Sequence, residues 1–193
     1  MQNYYTCQEH FEKLFSETYR SHTFTAKNRE EFAIWSASLR ESLHELIGTK
    51  QMKPCSPRPI FVESVPCEGY IRKKAVIYTE EDVQMPFYIL VPEGLKEGEK
   101  RTAVIACHGH DSNGKEAVAG VRDKKAVAEA IDHYHYNYGE KLAQMGYVVF
   151  APDARGFGER RERYDQGDEE EKIMTSSCAY LIVKAMSLGH TVT

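Results

Sequence analysis

Two short stretches of the sequence combine residue types that could carry out chemistry. HGHD at 108–111 follows the apolar run TAVIAC, and PDARG at 152–156 follows YVVFA. Gly109 permits a backbone path closed to other residues, so the turn can aim a peptide N–H into a pocket. An N–H that faces a developing alkoxide forms half of an oxyanion hole. The residues alone leave open a simpler interpretation, in which His108 and Gly109 only end a strand and the imidazole bonds nearby backbone.

Charged side chains dominate the second stretch and the loop beyond it. Asp153 and Arg155 lie two residues apart beside glycines, and such a pair can lock a loop through charge-assisted hydrogen bonds. We expect this structural role rather than direct chemistry. The next arginines could bind an anionic substrate, but acidic residues interleave with them, which favours a self-neutralised surface loop; these arginines are Arg160, Arg161 and Arg163.

The elements that position these stretches follow from hydrophobic patterning. Residues 102–107 and 147–151 are apolar runs without alternation, typical of strands covered on both faces. A helix predicted between about 124 and 145, broken near 133–138, joins them and implies a parallel crossover. Residues 69–78 and 83–91 are predicted to form a hairpin, with Pro86 placing the second strand at an edge or a bulge. The fold class is therefore α/β, with helices on both faces of a sheet.

The remaining segments divide the chain into three parts. Apolar residues at helical spacing predict helices over 8–20 and 29–48, with Gly48 as a stop, so residues 1–50 form a helical N-terminal extension. The three prolines of KPCSPRPI make residues 51–60 a linker. Residues 61–193 form the main domain, which ends in a helix predicted over 170–188.

Composition excludes several classes of protein. The net charge of -4 leaves no basic footprint for nucleic acid or anionic membrane, and no run approaches the ~20 apolar residues of a membrane span. Five widely spaced cysteines without a C-x-x-C argue against disulfides or a zinc ribbon. With no signal pattern at the N-terminus, we expect a cytoplasmic protein. No cofactor is implied.

The paired motifs HG-x-D and PD-x-RG-x-G, some forty residues apart and each after an apolar strand, resemble the α/β-hydrolase superfamily. The similarity is greatest to the branch of dienelactone hydrolases and acetyl xylan esterase-like proteins, from about residue 60 onward. The resemblance implies that the main-chain N–H near His110 is an oxyanion-hole donor. It implies that residues on both loops support the site, namely His108, Gly109, Asp111, Asp153, Arg155 and Gly156. It further implies hydrolysis of a carboxylic ester by a serine, with a small-molecule ester or lactone as substrate.

The sequence departs from this family at the nucleophile. The serine should lie in a G-x-S-x-G elbow after the Asp153 loop, yet residues 1–193 contain no such motif. We expect an N-terminal part of a hydrolase, inactive alone, whose Ser, acid and His lie beyond Thr193. The sheet would then be incomplete and TAVIAC would form an exposed edge, which favours self-association or pairing with the C-terminal part.

Other candidates for chemistry remain. Ser112 lies next to His110 and Asp111 but adjacency does not make a triad, and Cys107 and Cys178 are expected to be inert, buried thiols. His108, His110 and Asp111 could ligate zinc, although no H-E-x-x-H pair appears. His133 and His135 form a second candidate cluster. We interpret the residues of this stretch as packing and rim residues above the sheet, namely His133, Tyr134, Tyr136 and Tyr138. The non-enzymatic alternative is a hydrolase-fold scaffold or binding module.

Overall fold

A computed structural model describes residues 5–18, 20–110, 113–162 and 177–189. The chain forms two compact units, Met1–Leu46 and Ile47–Thr193. Among the described residues, no helix is both long enough and apolar enough to cross a membrane.

The first unit contains the two predicted helices, α1 (Gln8–Glu17) and α2 (Arg29–Leu46). Asn28 and Glu31 cap the start of α2: the Asn28 side chain accepts the Glu31 N–H at 2.9 Å, and the Glu31 carboxylate accepts the Lys27 N–H at 2.8 Å. Ahead of this cap, Phe24 packs edge-on to Trp35 with ring centroids 4.8 Å apart. Both helices were predicted from their apolar spacing and are confirmed.

The second unit is built on a mixed sheet in the order β1-β2-β3-β5-β4. Its strands are β1 (Ile60–Cys67), β2 (Tyr70–Glu80), β3 (Val83–Pro92), β4 (Ala103–Ile105) and β5 (Val148–Pro152). The first three strands and the β3–β5 pair are antiparallel, whereas β4 and β5 are parallel. The predicted hairpin and the parallel pair are confirmed.

Two strand predictions need correction. Sequence patterning missed β1, because this edge strand is held by its backbone ladder to β2 while Ile60, Phe61 and Val62 stay about half exposed or more. Pro86 does not mark an edge, since β3 lies between β2 and β5. Pairing of β3 with β5 begins at Phe87, and the Pro86 carbonyl accepts the Asp153 N–H at 3.1 Å, so the missing proline N–H falls at the end of that ladder.

The short strand β4 is the outermost strand of the sheet that the structure describes. The prediction that it is covered on both faces is wrong, because Ile105 is 71% exposed. The prediction of an exposed apolar edge is confirmed in this part of the chain.

In the described part of the chain, three helices lie between β4 and β5 in the sequence, and the first and third of them contact the sheet. These are α3 (Lys115–Val118), α4 (Lys125–Tyr134) and α5 (Tyr138–Gln144), and the predicted break lies between the last two, where His135 has a φ of 57°. The core joins strand residues to α3 and α5; it contains Tyr70, Tyr88, Leu90, Val118, Ala143, Val149 and Ala151. Tyr70 also donates its hydroxyl hydrogen to the Ala119 carbonyl at 3.1 Å. Of the helix predicted over 170–188, the described part is α6 (Cys178–Ser187), and residues 170–176 lie outside the described residues.

Candidate functional site

The two loops identified in the sequence meet at one end of the sheet. Because β4 and β5 are parallel neighbours, their carboxyl ends lie at the same edge. The Ala154 N–H, just after β5, donates to His108 Nε2, just after β4, at 3.0 Å. The predicted juxtaposition of the HGH and DARG corners is therefore confirmed.

His108 uses both of its ring nitrogens in this contact region. Nε2 accepts the Ala154 N–H, so it carries no proton, and Nδ1 lies 2.8 Å from the Gly109 carbonyl oxygen, to which it donates. The ring also packs against Phe157, with centroids 5.1 Å apart. His108 thus fastens one loop to the other.

The bond from His108 also orients the peptide between Gly109 and His110. In a trans peptide the C=O and the following N–H point in opposite directions. Since the Gly109 carbonyl is held toward the His108 ring, the His110 N–H points away from it. The His110 side chain lies edge-on to Phe157, and its Nε2 is 3.2 Å from Cys178 Sγ. That this N–H serves as an oxyanion donor remains a prediction.

Asp153 is fully buried, and its carboxylate accepts three hydrogen bonds from described residues. Oδ1 accepts the Lys115 main-chain N–H at 2.7 Å, and Oδ2 accepts Lys115 Nζ at 2.6 Å and the Glu159 N–H at 3.1 Å. The Lys115 side chain is itself only 1% exposed. Sequence reasoning missed Lys115, because a single lysine after a glycine turn is ordinarily exposed; the only available signal was its place at the start of α3.

Two glycines make room for this carboxylate. Gly114 and Gly158 have φ values of 62° and 50°, and a Cβ on them would lie 2.2 Å and 2.5 Å from Asp153 Oδ1. Both positions therefore need glycine for backbone conformation and for space. Asp153 joins the start of α3 to the loop after β5, which holds the two strand-end loops together.

Glu159 extends the ion-pair network to the surface. Its carboxylate contacts Lys115 Nζ and lies 2.6 Å from Lys74 Nζ. Burial alone would raise the pKa of Glu159, but the Lys115 and Lys74 charges bring this pKa below its ordinary value. For Lys115, burial opposes the charged form, yet Asp153 and Glu159 outweigh it and raise its pKa above the ordinary range.

Arg155 does not pair with Asp153, so the expected Asp–Arg lock is wrong in its partners. Arg155 Nη2 forms an ion pair with Glu80 of β2, and Asp153 takes Lys115 instead. The main-chain oxygen of Asp153 accepts Arg160 Nη1 at 3.0 Å. The physical reason is that the Asp153 side chain points under the loop to α3, whereas Arg155 reaches across the sheet end.

Gly156 permits a close approach of the loop to α6. Its φ is 80°, a Cβ would lie 2.8 Å from the Cys178 nitrogen, and its carbonyl accepts the Ser177 N–H at 2.9 Å. Cys178 is therefore half-buried beside the loop and His110, rather than in the core as expected. Cys107, expected to be buried, is exposed, and its carbonyl accepts the Tyr138 hydroxyl.

Several residues proposed from the sequence as catalytic or metal-ligating lie outside the described residues, and others receive no support as metal ligands. Asp111, Ser112 and Arg163 are among the residues that the structure does not describe. Within the described ranges, no group of three His, Cys, Asp or Glu side chains could hold a metal ion. His133 packs edge-on to Tyr134, and Tyr134 stacks on Tyr136 with centroids 5.3 Å apart. His133 and Tyr134 are exposed, so their ring contacts lie at the surface.

Two cavities flank the junction of the loops. The smaller, of about 190 Å³, is lined by Cys107, His108, Ala154 and neighbouring residues, together with Arg155 and Arg160. The larger, of about 500 Å³, lies along the end of the sheet and shares the same two arginines. The strand-end loops thus border space that a small molecule can enter.

A mixed sheet with flanking helices, whose parallel strands carry HG and DARG corners at one edge, defines an α/β-hydrolase fold with a partial sheet. The chain belongs to the Abhydrolase family, whose model matches residues 3–191.

Solved structures share this fold at low sequence identity. A candidate acetyl xylan esterase from Bacteroides fragilis superposes with a TM-score of 0.77 at 19% identity, over 98% of this chain and 47% of its own length. Methylesterase BT1017 gives a TM-score of 0.55 at 17% identity, over 86% of this chain and 35% of its own. The chain therefore spans less than half of either protein. No curated protein matches the chain.

Proposed function

We propose that this chain contributes the oxyanion side of a carboxylic-ester hydrolase site. The observation that carries the proposal is the His108 bridge, which joins the two strand-end loops through Ala154 and orients the Gly109–His110 peptide. A peptide N–H fixed at the carboxyl end of the sheet is suited to a developing alkoxide. The family membership and the esterases that share the fold support the same class of reaction.

The roles of the residues follow from this arrangement. The His110 main-chain N–H donates to the oxyanion, and His108 acts as a positioning residue for that peptide. Asp153, with Lys115, holds the two loops together, while Arg155 and Gly156 set the path of the second loop. By resemblance to the family, Gly109 and Asp111 are proposed to support the site. A serine from outside residues 1–193 attacks the ester carbonyl, with a histidine base and an acid supplied with it.

The substrate is a small-molecule carboxylic ester, of the esterase or lactonase type. The size of the larger cavity beside the junction, about 500 Å³, supports a small ligand. The protein is proposed to act in the cytoplasm without a cofactor.

The alternatives differ in what they require of the loops. A non-catalytic scaffold does not require an oriented His110 N–H. The lack of G-x-S-x-G in residues 1–193 favours the scaffold alternative. A zinc site at His108, His110 and Asp111 requires a lone pair on His108. Its Nε2 lone pair is already engaged by Ala154, which disfavours zinc.

A fluorophosphonate probe, which reacts with activated serines, tests the proposal. We expect no labelling of the 193-residue chain and clear labelling of the product translated from the gene beyond codon 193. A stop codon directly after Thr193, or strong labelling of a serine within residues 1–193, would overturn this assignment.

A further inference from the structure

Arg155 and Arg160 lie side by side in the lining of the cavity of about 500 Å³. Arg155 pairs with Glu80, whereas Arg160 has one hydrogen bond, from Nη1 to the Asp153 carbonyl, and no ion pair among the residues described. The nearby carboxylates of Asp153 and Glu159 are held by Lys115, and Glu159 also by Lys74. Within the described residues, the Arg160 guanidinium therefore has no carboxylate bonded to it.

The Arg160 guanidinium is partly withdrawn from water, and burial disfavours its charged form. Burial, followed by the nearby Arg155 cation, lowers the pKa of Arg160 to about 10. Arg155 Nε is also buried and has no hydrogen-bond partner within the described part of the chain. Buried charges and polar groups are normally paired, so an anion from outside the chain would relieve both.

The space next to the two arginines limits which anion fits. Both line the cavity of about 500 Å³, whose polar walls also include Gln84, Asp82 and Glu162. The two acidic groups would repel a multiply charged anion, but they readily accept hydrogen bonds from hydroxyl groups. The arginines also line the smaller cavity beside His108, so a ligand held by them lies next to the proposed oxyanion corner.

We propose that the 500 Å³ cavity binds a hydroxyl-bearing monocarboxylate, such as a sugar acid. The carboxylate lies on Arg160 and Arg155, and the hydroxyl groups donate to Asp82, Glu162 and the Gln84 carbonyl. Binding of the carboxylate does not depend on the proposed function. Only its consequence rests on that function, namely that the ester substrate also carries a free carboxylate.

Isothermal titration calorimetry of the 193-residue chain with sodium D-galacturonate tests the inference. D-galactose, which lacks the carboxylate, is the control ligand. We expect galacturonate to bind at least about tenfold more tightly than galactose, because a charge-assisted hydrogen bond contributes that much or more. Arg160→Gln should weaken galacturonate binding at least about tenfold. Arg122→Gln removes a surface charge that pairs with Asp132 and should leave binding unchanged.

Three results would overturn the inference: no binding of galacturonate to the folded chain, equal affinity for galactose, or unchanged affinity in Arg160→Gln. If circular dichroism shows that Arg160→Gln is unfolded, Arg155→Gln takes its place with the same expected loss. No ester is cleaved in this titration, so its failure leaves the fluorophosphonate result standing. Conversely, absent labelling of the longer product with intact galacturonate binding would remove the proposed function alone.

Discussion

Lys115 and Asp153 form the most deeply buried ion pair among the described residues, with side chains 1% and 0% exposed. Removing one partner of such a pair leaves a charge without compensation in the interior. This pair, rather than the expected Asp153–Arg155 pair, holds the two strand-end loops together.

Lys115→Met should therefore lower the free energy of unfolding by about 3–5 kcal/mol, measured by urea denaturation. Lys125→Met is the control, because Lys125 is 83% exposed and makes only a 3.8 Å contact with Glu129. It should change stability by no more than ~0.5 kcal/mol. Equal effects of the two substitutions would show that the buried pair does not stabilise the loops.

The pH dependence of stability follows from the same network. The pKa of Glu159 is lowered in the folded protein, so its contribution is complete above the ordinary value of 4.5 and is lost as pH falls. The pKa of Lys115 is raised, so its contribution is present below 10.5 and is lost as pH rises beyond it. We expect stability to fall at both extremes. In Glu159→Gln the loss on the acid side should be smaller, and an unchanged acid limb in urea titrations would contradict the pairing.

At the residue scale, the sequence identified the two loops that carry chemistry, but not the hydrogen bonds and ion pairs that join them. HGH and DARG stand out because polar residues follow apolar runs abruptly, and the parallel strands bring them together. Lys115 could not be found in this way. Its burial depends on Asp153, which lies 38 positions away in sequence, and on two glycines that clear the space between them.

At the scale of elements, the loop after β5 keeps its shape because glycines admit the Asp153 carboxylate. Gly158 and Gly94 both have positive φ, 50° and 77°, but only Gly158 has a neighbour in the path of a Cβ. Comparing alanine at the two positions separates backbone strain from the steric clash.

Gly94→Ala should cost about 1–2 kcal/mol, the price of left-handed backbone for a residue with a side chain. Gly158→Ala should cost about 1–3 kcal/mol more, because its Cβ would lie 2.5 Å from Asp153 Oδ1. Thermal unfolding of both variants measures the difference. Equal losses of stability in the two variants would mean that the loop moves aside and that the Asp153 carboxylate does not require glycine at position 158.

Two errors of the sequence prediction concern strands at the edges of the described sheet. β1 was missed because it is bound through its backbone ladder and buries few side chains, so it shows no alternation. β4 was found as a strand, but it was wrongly expected to be covered on both faces. The helices were found because their apolar faces recur at helical spacing. The break between α4 and α5 was expected from the run at 133–138, where His135 adopts a left-handed conformation.

At the scale of the whole molecule, β4 has one outer edge without a neighbouring strand among the described residues, and a further strand can pair there. Ile105 is 71% exposed on this edge, and unpaired apolar edges favour association. We propose that the chain self-associates there, or pairs there with sequence from outside residues 1–193.

Ile105→Lys should raise the concentration at which the chain self-associates by about tenfold, measured by sedimentation velocity over a dilution series. Val183→Lys is a matched control, since Val183 is 70% exposed but lies on α6. Association that persists in Ile105→Lys, or that is abolished equally by Val183→Lys, would place the contact elsewhere.

The central claim concerns a single main-chain hydrogen, the N–H of His110, and it is tested most directly in the product translated beyond codon 193. His110→Pro removes this N–H, whereas His110→Ala removes the imidazole and keeps it. We expect kcat for hydrolysis of a p-nitrophenyl ester to fall about 10²–10³-fold in His110→Pro, as for loss of one oxyanion donor, and to change little in His110→Ala. An equal loss of kcat in both variants, or in neither, would contradict the assignment of the oxyanion side to this chain.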